Sequence, residues 1–212
     1  MEAEGEIYDG GVKRSGPQIA TFGSTKALRT EDAFGKFYGA NAAGRVFRAV
    51  SASAGIAPGT ALATTAQALC VWNPKKSGVK ASIIQLAHAY VSGTFGLGTW
   101  YLANYSVNEP ASNLEPGGTE LLVSRADGEL GKGKVRVFSA ATCTAAPIIA
   151  EPLDWEGVLD GTGATQVGSS RIFRFDGDLV VNPGTACIMT FVGGAGTTPK
   201  VVVGAKWDEI PE

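Results

Sequence analysis

The chain has 212 residues, a formal net charge of −2 and an apolar fraction of 44%. That apolar share is too high for a disordered chain, and the near-neutral charge provides no field to attract a polyanion, so nucleic-acid binding is not expected. Glycine, at 29 residues, shows no Gly-X-Y period; this sets collagen aside and points to turns between short strands.

The N-terminus, Met1-Glu2-Ala3-Glu4-Gly5-Glu6, is acidic and lacks the basic and apolar regions of a secretion signal. No apolar run approaches the ~20 residues needed to cross a bilayer. The expectation is a soluble protein made in a cytoplasm, without a membrane partner. Met1 to Pro17 has little beyond Ile7, Tyr8 and Val12 to bury, so it cannot offset its own ordering entropy. Residues 1–45 therefore read as an arm. Within it Thr30 can cap a short helix with Glu31 and Asp32 in its first turn. Phe34, Phe37 and Tyr38 would share one sticky face of that helix, while Gly35, Gly39 and Gly44 weaken it.

From Val46 strand signals follow one another, and residues 46–212 read as one body. Val46 to Val50 and Thr60 to Ala68 flank the Ala57-Pro58-Gly59 turn. Cys70 to Asn73 is an apolar run closed by Asn73-Pro74 and Lys75-Lys76-Ser77-Gly78, a reversal across which two strands should meet. From Val79 to Val91, Ile84, Leu86, His88 and Tyr90 share one face by period two, with Ile83, Gln85, Ala87, Ala89 and Val91 on the other. Both faces are mostly apolar, as in a central strand covered on both sides. Val107 to Gly118 is a polar loop. Glu120 to Ser124 and Lys134 to Ala141 are strands, the second with Val135, Val137 and Ser139 alternating against Arg136 and Phe138. Pro147 and Pro152 make Thr142 to Glu156 an edge strand or a long connection. Gly157 to Ser170 is a loop, and Asp176-Gly177 between Arg171–Phe175 and Leu179–Val181 is a hairpin signal. Cys187 to Val192 and Lys200 to Trp207 complete about ten short strands. The fold class is all-β: an antiparallel sandwich, jelly roll or small barrel with an N-terminal extended arm. No internal period suggests a propeller or solenoid.

Motifs for chemistry are scarce. A lone histidine, His88, cannot make a multi-histidine metal site, and its neighbours Ala87 and Ala89 offer neither a nucleophile nor an orienting carboxylate, so it reads as a packed strand residue. Gly131-Lys132 departs from a phosphate loop at both flanking positions, Ala126 and Gly133. Asp154, Glu156 and Asp160 lack EF-hand spacing and read as solvated loop charges. Asn104-Tyr105-Ser106 fits a glycosylation sequon, without a secretion signal to give it meaning. Cys70, Cys143 and Cys187 are odd in number and widely spaced, which favours buried free thiols over a disulfide. No catalytic, cofactor or metal residue is assigned. The aromatics Phe95, Trp100, Tyr101 and Tyr105 around the Gly93 to Gly98 loop can stack on a sugar or anchor an interface, with core packing as the default.

Three stretches carry a resemblance: GRVFRAVSASAGIA at Gly44 to Ala57, WNPKKSGVKASIIQLAHAYVSGTFGLGT from Trp72, and DGDLVVNPGTACIMTFVGGAGTTPKVVVGAKWDEIP at Asp176 to Pro211. Together they resemble virion structural proteins of tailed double-stranded DNA phages, of the capsid decoration or cement kind, with a jelly-roll-like body. The resemblance covers most of the chain from about Arg45 and contains no catalytic motif. It implies a protein of the capsid surface, synthesised in the host cytoplasm, whose partners are the major capsid protein and itself. A trimer would suit a capsid threefold site, with a dimer as the alternative. The arm would strap shell subunits together through Ile7, Tyr8, Phe22, Phe34, Phe37 and Tyr38. A different reading is a tail-fibre, spike or head-fibre module that binds host surface glycan through Phe95 to Tyr105. A hydrolase is the weakest reading, because no nucleophile, base and orienter assemble from the motifs.

Overall fold

The computed structural model describes residues 8–9, 12–13, 36–62, 64–106, 116–129, 133–143, 147–156, 169–194 and 196–212, with the backbone alone at 8–9, 12–13, 105–106 and 155–156. The chain divides into two units, Met1–Tyr38 and Gly39–Glu212. In the first, β1 (Tyr8–Asp9) pairs antiparallel with β2 (Val12–Lys13). Lys36 places its ammonium 5.6 Å from the centroid of the Phe37 ring, and Tyr38 is half exposed. Ile7, Phe22 and Phe34 lie outside the described residues, as do the Thr30 cap and Gly35.

A single turn of helix, α1 (Tyr38–Ala42), leads into the body. It ends because Gly44 takes a φ of +69°: the Gly44 amide donates to Asn41 O and the Arg45 amide to Ala40 O, a Schellman closure.

Eleven strands then form two antiparallel sheets. In chain order they are β3 (Val46–Val50), β4 (Gln67–Asn73), β5 (Val79–Thr94), β6 (Gly98–Ser106), β7 (Gly117–Glu120), β8 (Val123–Arg125) and β9 (Arg136–Thr142). After them come β10 (Ile148–Glu156), β11 (Arg171–Val181), β12 (Thr185–Gly193) and β13 (Thr197–Pro211). One sheet has the order β10-β6-β12-β4-β9-β7 and the other β11-β5-β13-β3-β8. Without β7, β8 and β9, the two four-strand sheets are β3-β13-β5-β11 and β4-β12-β6-β10. Successive strands then switch sheet one by one, except that β6 and β10 follow each other in the same sheet, the winding of a jelly roll. The three remaining strands are an insertion between β6 and β10 that widens both sheets.

Four sequence expectations are corrected by this topology. The reversal at Asn73–Gly78 does not pair its two strands. It is a corner between sheets, held where Asn73 Nδ2 donates to Val79 O at 2.8 Å and to Val181 O at 3.0 Å. The described residues from Thr60 to Ala66 are not strand: β4 begins at Gln67, after Ala66 adopts a φ of 60°. Asp176-Gly177 is not a hairpin but a bulge inside β11, because both arms pair with the same strand, Arg174 with Gln85 and Leu179 with Ile83. In β5 the strict alternation also fails. A register shift between Gln85 and Ile83 opposite β13 puts both Ile83 and Leu86 into the core, so the core face reads Ala81, Ile83, Leu86, His88. Other expectations hold: Pro152 sits in β10, an edge strand with two register shifts, where a missing amide costs little.

The main core lies between the sheets, with Trp100, Trp207, Phe191, Leu69, Ile83 and Leu86 each under 2% exposed. A second apolar cluster covers the outer face of the six-stranded sheet: Cys70, Trp72, Ala103, Phe138, Cys143 and Ile188, with Leu62 packed against it. Phe138, expected on an open face, is therefore buried. Over the edge of this cluster Arg136 stands 5.6 Å from Trp72 and 5.1 Å from Phe138, held by two 2.7 Å bonds to Glu120.

Asp208 is buried on β13, where burial raises its pKa and Arg45, 3.4 Å away, draws it partly back. A raised native pKa means that the folded state binds the proton more tightly, so this group's contribution to stability falls as pH rises from its unfolded value through its folded one. We expect Asp208→Asn to flatten that part of the curve. Urea midpoints of both proteins between about pH 4 and pH 7 check it, and parallel curves would refute it.

Candidate binding face

The loop aromatics divide. Trp100 is fully buried, its ring 4.3 Å from His88 at an interplanar angle of 17° and 5.5 Å from Phe191. Phe95 packs edge-on against Phe191 at 5.3 Å. Gly98 and Gly193 make room for that phenylalanine, since a Cβ on either would meet its ring tip within 3 Å. Packing, the default reading, is thus what Phe95 and Trp100 do, and neither ring is free to stack on a sugar. Tyr101 is half-buried on the opposite face of β6, and of Tyr105 only the strand position is described. His88 is likewise a core residue, between Trp100 and Phe173.

No three His, Cys, Asp or Glu side chains among the described residues stand close enough to hold a metal ion. Asp154 pairs at 2.6 Å with Arg171, joining the edge strands β10 and β11 of the two sheets; Asp160 and the Glu156 side chain lie outside the described residues. No described helix is long and apolar enough to cross a membrane.

All three cysteines are free and buried. Burial, with the Glu151 charge adding to it, pushes the Cys187 thiol up to about 12. Cys70 and Cys143 share a hydrogen bond that raises the donor Cys70 and lowers Cys143, whose thiolate it stabilises. A thiol-alkylating reagent should therefore modify Cys143 before Cys70 or Cys187 in the folded protein. Timed labelling with peptide mass mapping measures the order, and equal rates would contradict it.

The outer face of the five-stranded sheet carries a shallow, open cavity of about 590 Å³. Its construction follows from strand register. Val50, Gly204, Ala87 and Ile172 stand side by side across β3, β13, β5 and β11. The small Gly204 and Ala87 form a floor, extended by the neighbouring pair Val202 and Ala89, while Val50 and Ile172, 57% and 59% exposed, form the walls. Two residues along each strand lies a parallel row: Arg48, Lys206, Gln85 and Arg174.

No carboxylate among the described residues pairs with Arg48, Lys206 or Arg174; Arg48 makes only a 3.4 Å bond to Ser124. Like charges directly opposite one another on neighbouring strands cost stability. The isolated body therefore gains nothing from placing Arg48 beside Lys206, and an anionic partner would relieve that cost. Sequence reasoning missed this site, because its residues come from four strands far apart in the chain. The one local signal was their position on the polar side of each alternation.

Searches of family models, of characterised proteins and of solved structures find no match to this chain.

Proposed function

We propose that this chain is a non-enzymatic structural protein of a tailed double-stranded DNA phage particle. In this reading it is a decoration or cement protein on the outer surface of the head, in contact with the major capsid protein. The observation that carries the reading is the open outer face of the five-stranded sheet: an apolar trough beside unpaired cations, suited to protein contact within an assembly, with the shell or with a neighbouring copy, rather than to a small substrate. Two further features support it. The stretches that resemble decoration proteins contain all of β3, β5, β12 and β13, the end of β4 and the second half of β11. A body with so much backbone pairing is also rigid enough to brace a shell, and an N-terminal arm in several copies would multiply weak contacts into firm attachment. The glycan-binding alternative is weakened, because Phe95 and Trp100 are spent on the core.

Quantitative mass spectrometry of purified particles, comparing this chain with the major shell subunit, tests the proposal. Copy numbers of the same order are expected. A ratio far below that would move the protein to the tail or a vertex and revive the glycan reading, and absence from the particle would end both.

A further inference from the structure

We infer that the trough on the five-stranded sheet receives the acidic N-terminal segment Glu2–Ile7 of a second copy of this chain. The occupant of this face must be both anionic and narrow. A second copy of the same face is disfavoured, since its Arg48, Lys206 and Arg174 would confront the same three cations. Glu2, Glu4 and Glu6 supply the complementary pattern, three carboxylates at period two with Ala3, Gly5 and Ile7 between them.

Dimensions match as well as charge. The cationic row crosses three strand spacings from Arg48 to Arg174, about 14 Å at the usual interstrand distance, and an extended chain from Glu2 to Glu6 also covers about 14 Å. A ribbon lying flat between the two rows turns its alternate side chains to opposite sides. One side presents glutamates to Arg48, Lys206 and Arg174. The other turns Ala3, Gly5 and Ile7 toward the apolar row, where the Gly204 and Ala87 floor leaves room for backbone and Val50 or Ile172 meets Ile7.

Segment-to-face contact between copies is heterologous. Such contacts close into a ring when the rotation allows, or run on as an open chain. A trimer is one such ring. This inference does not depend on where the protein sits on a particle.

Sedimentation equilibrium of the full-length chain tests it. Self-association that weakens with added salt is expected for the unmodified protein. Glu2→Lys/Glu4→Lys/Glu6→Lys should weaken it about tenfold or more, the sum of three exposed ion pairs lost and reversed. Arg48→Glu/Lys206→Glu/Arg174→Glu should do the same, with unchanged far-ultraviolet dichroism because these side chains lie outside the core. Combining all six substitutions in one chain, which returns the net charge to that of the unmodified protein, should restore association, which misfolding of either triple variant would not produce. A protein that is monomeric at every concentration, triple variants that associate normally, or a six-fold variant that stays dissociated would each overturn the inference. None of those results bears on the particle copy number, so this test and that of the proposed function fail independently.

Discussion

Trp100→Ala is expected to destabilise the body by about 3–5 kcal/mol, the range for truncating a large buried aromatic. The indole is fully enclosed, and its removal would take away the ring faces against which His88 and Phe191 pack. A domain of this kind holds on the order of 5–15 kcal/mol in all, so a large part of the folded margin would go. Urea unfolding followed by tryptophan fluorescence measures the effect, with Tyr101→Ala as the neighbour whose half-buried ring should cost much less. If Trp100→Ala left the midpoint unchanged, the core described for this sandwich would be wrong. A consequence follows for the glycan reading. Substituting Trp100 cannot separate lost binding from lost folding, so that reading is better probed at Tyr101, on the far side of the same strand.

The second large effect is expected at Glu209. This carboxylate is buried on β13 and accepts hydrogen bonds from the Lys134 amide at 2.8 and 3.0 Å, from the Val135 amide at 2.9 Å and from Trp207 Nε1 at 3.2 Å. It fastens the start of β9 to the sheet across the sandwich. Glu209→Ala would leave donors stranded away from water, at about 1–3 kcal/mol each, and a total of roughly 3 kcal/mol is expected after local relaxation. Glu209→Gln keeps one acceptor oxygen and should cost less. The loss should be visible site by site: hydrogen exchange at Lys134 and Val135 should accelerate more than at Leu69 or Ile188 in β4 and β12. Uniform acceleration across the body would indicate that Glu209 does not act as a local fastener.

Much of the body was readable along the chain. Val46 to Val50, Cys187 to Val192 and Lys200 to Trp207 lie within observed strands, and Pro152 correctly marked an edge. Errors arose where a local signal had two tertiary outcomes. Asp176-Gly177 has the left-handed backbone that a hairpin needs, yet the same conformation, at φ 50° and 98°, serves a bulge when both flanking arms pair with β5. Asn73-Pro74 reverses the chain in either case; only the packing of Asn73 against Val181 makes it a corner between sheets. Phe138 belonged to the expected open side of its strand until a second cluster covered that side. For the loop aromatics, composition could not tell burial from display.

The amino-acid sequence by itself determined the all-β character and most of the places where the chain turns. These depend on backbone preferences and on period-two alternation, which act between near neighbours in the chain. Tertiary structure alone decided the division into two sheets, the face to which each strand turns and the existence of the cationic row. Pairs such as Lys206 with Arg48 are made by register between strands more than 150 residues apart, and one register shift near Ile84 reverses which side chains meet the core. Long-range register is a global minimum over all pairings, so no local stretch encodes it.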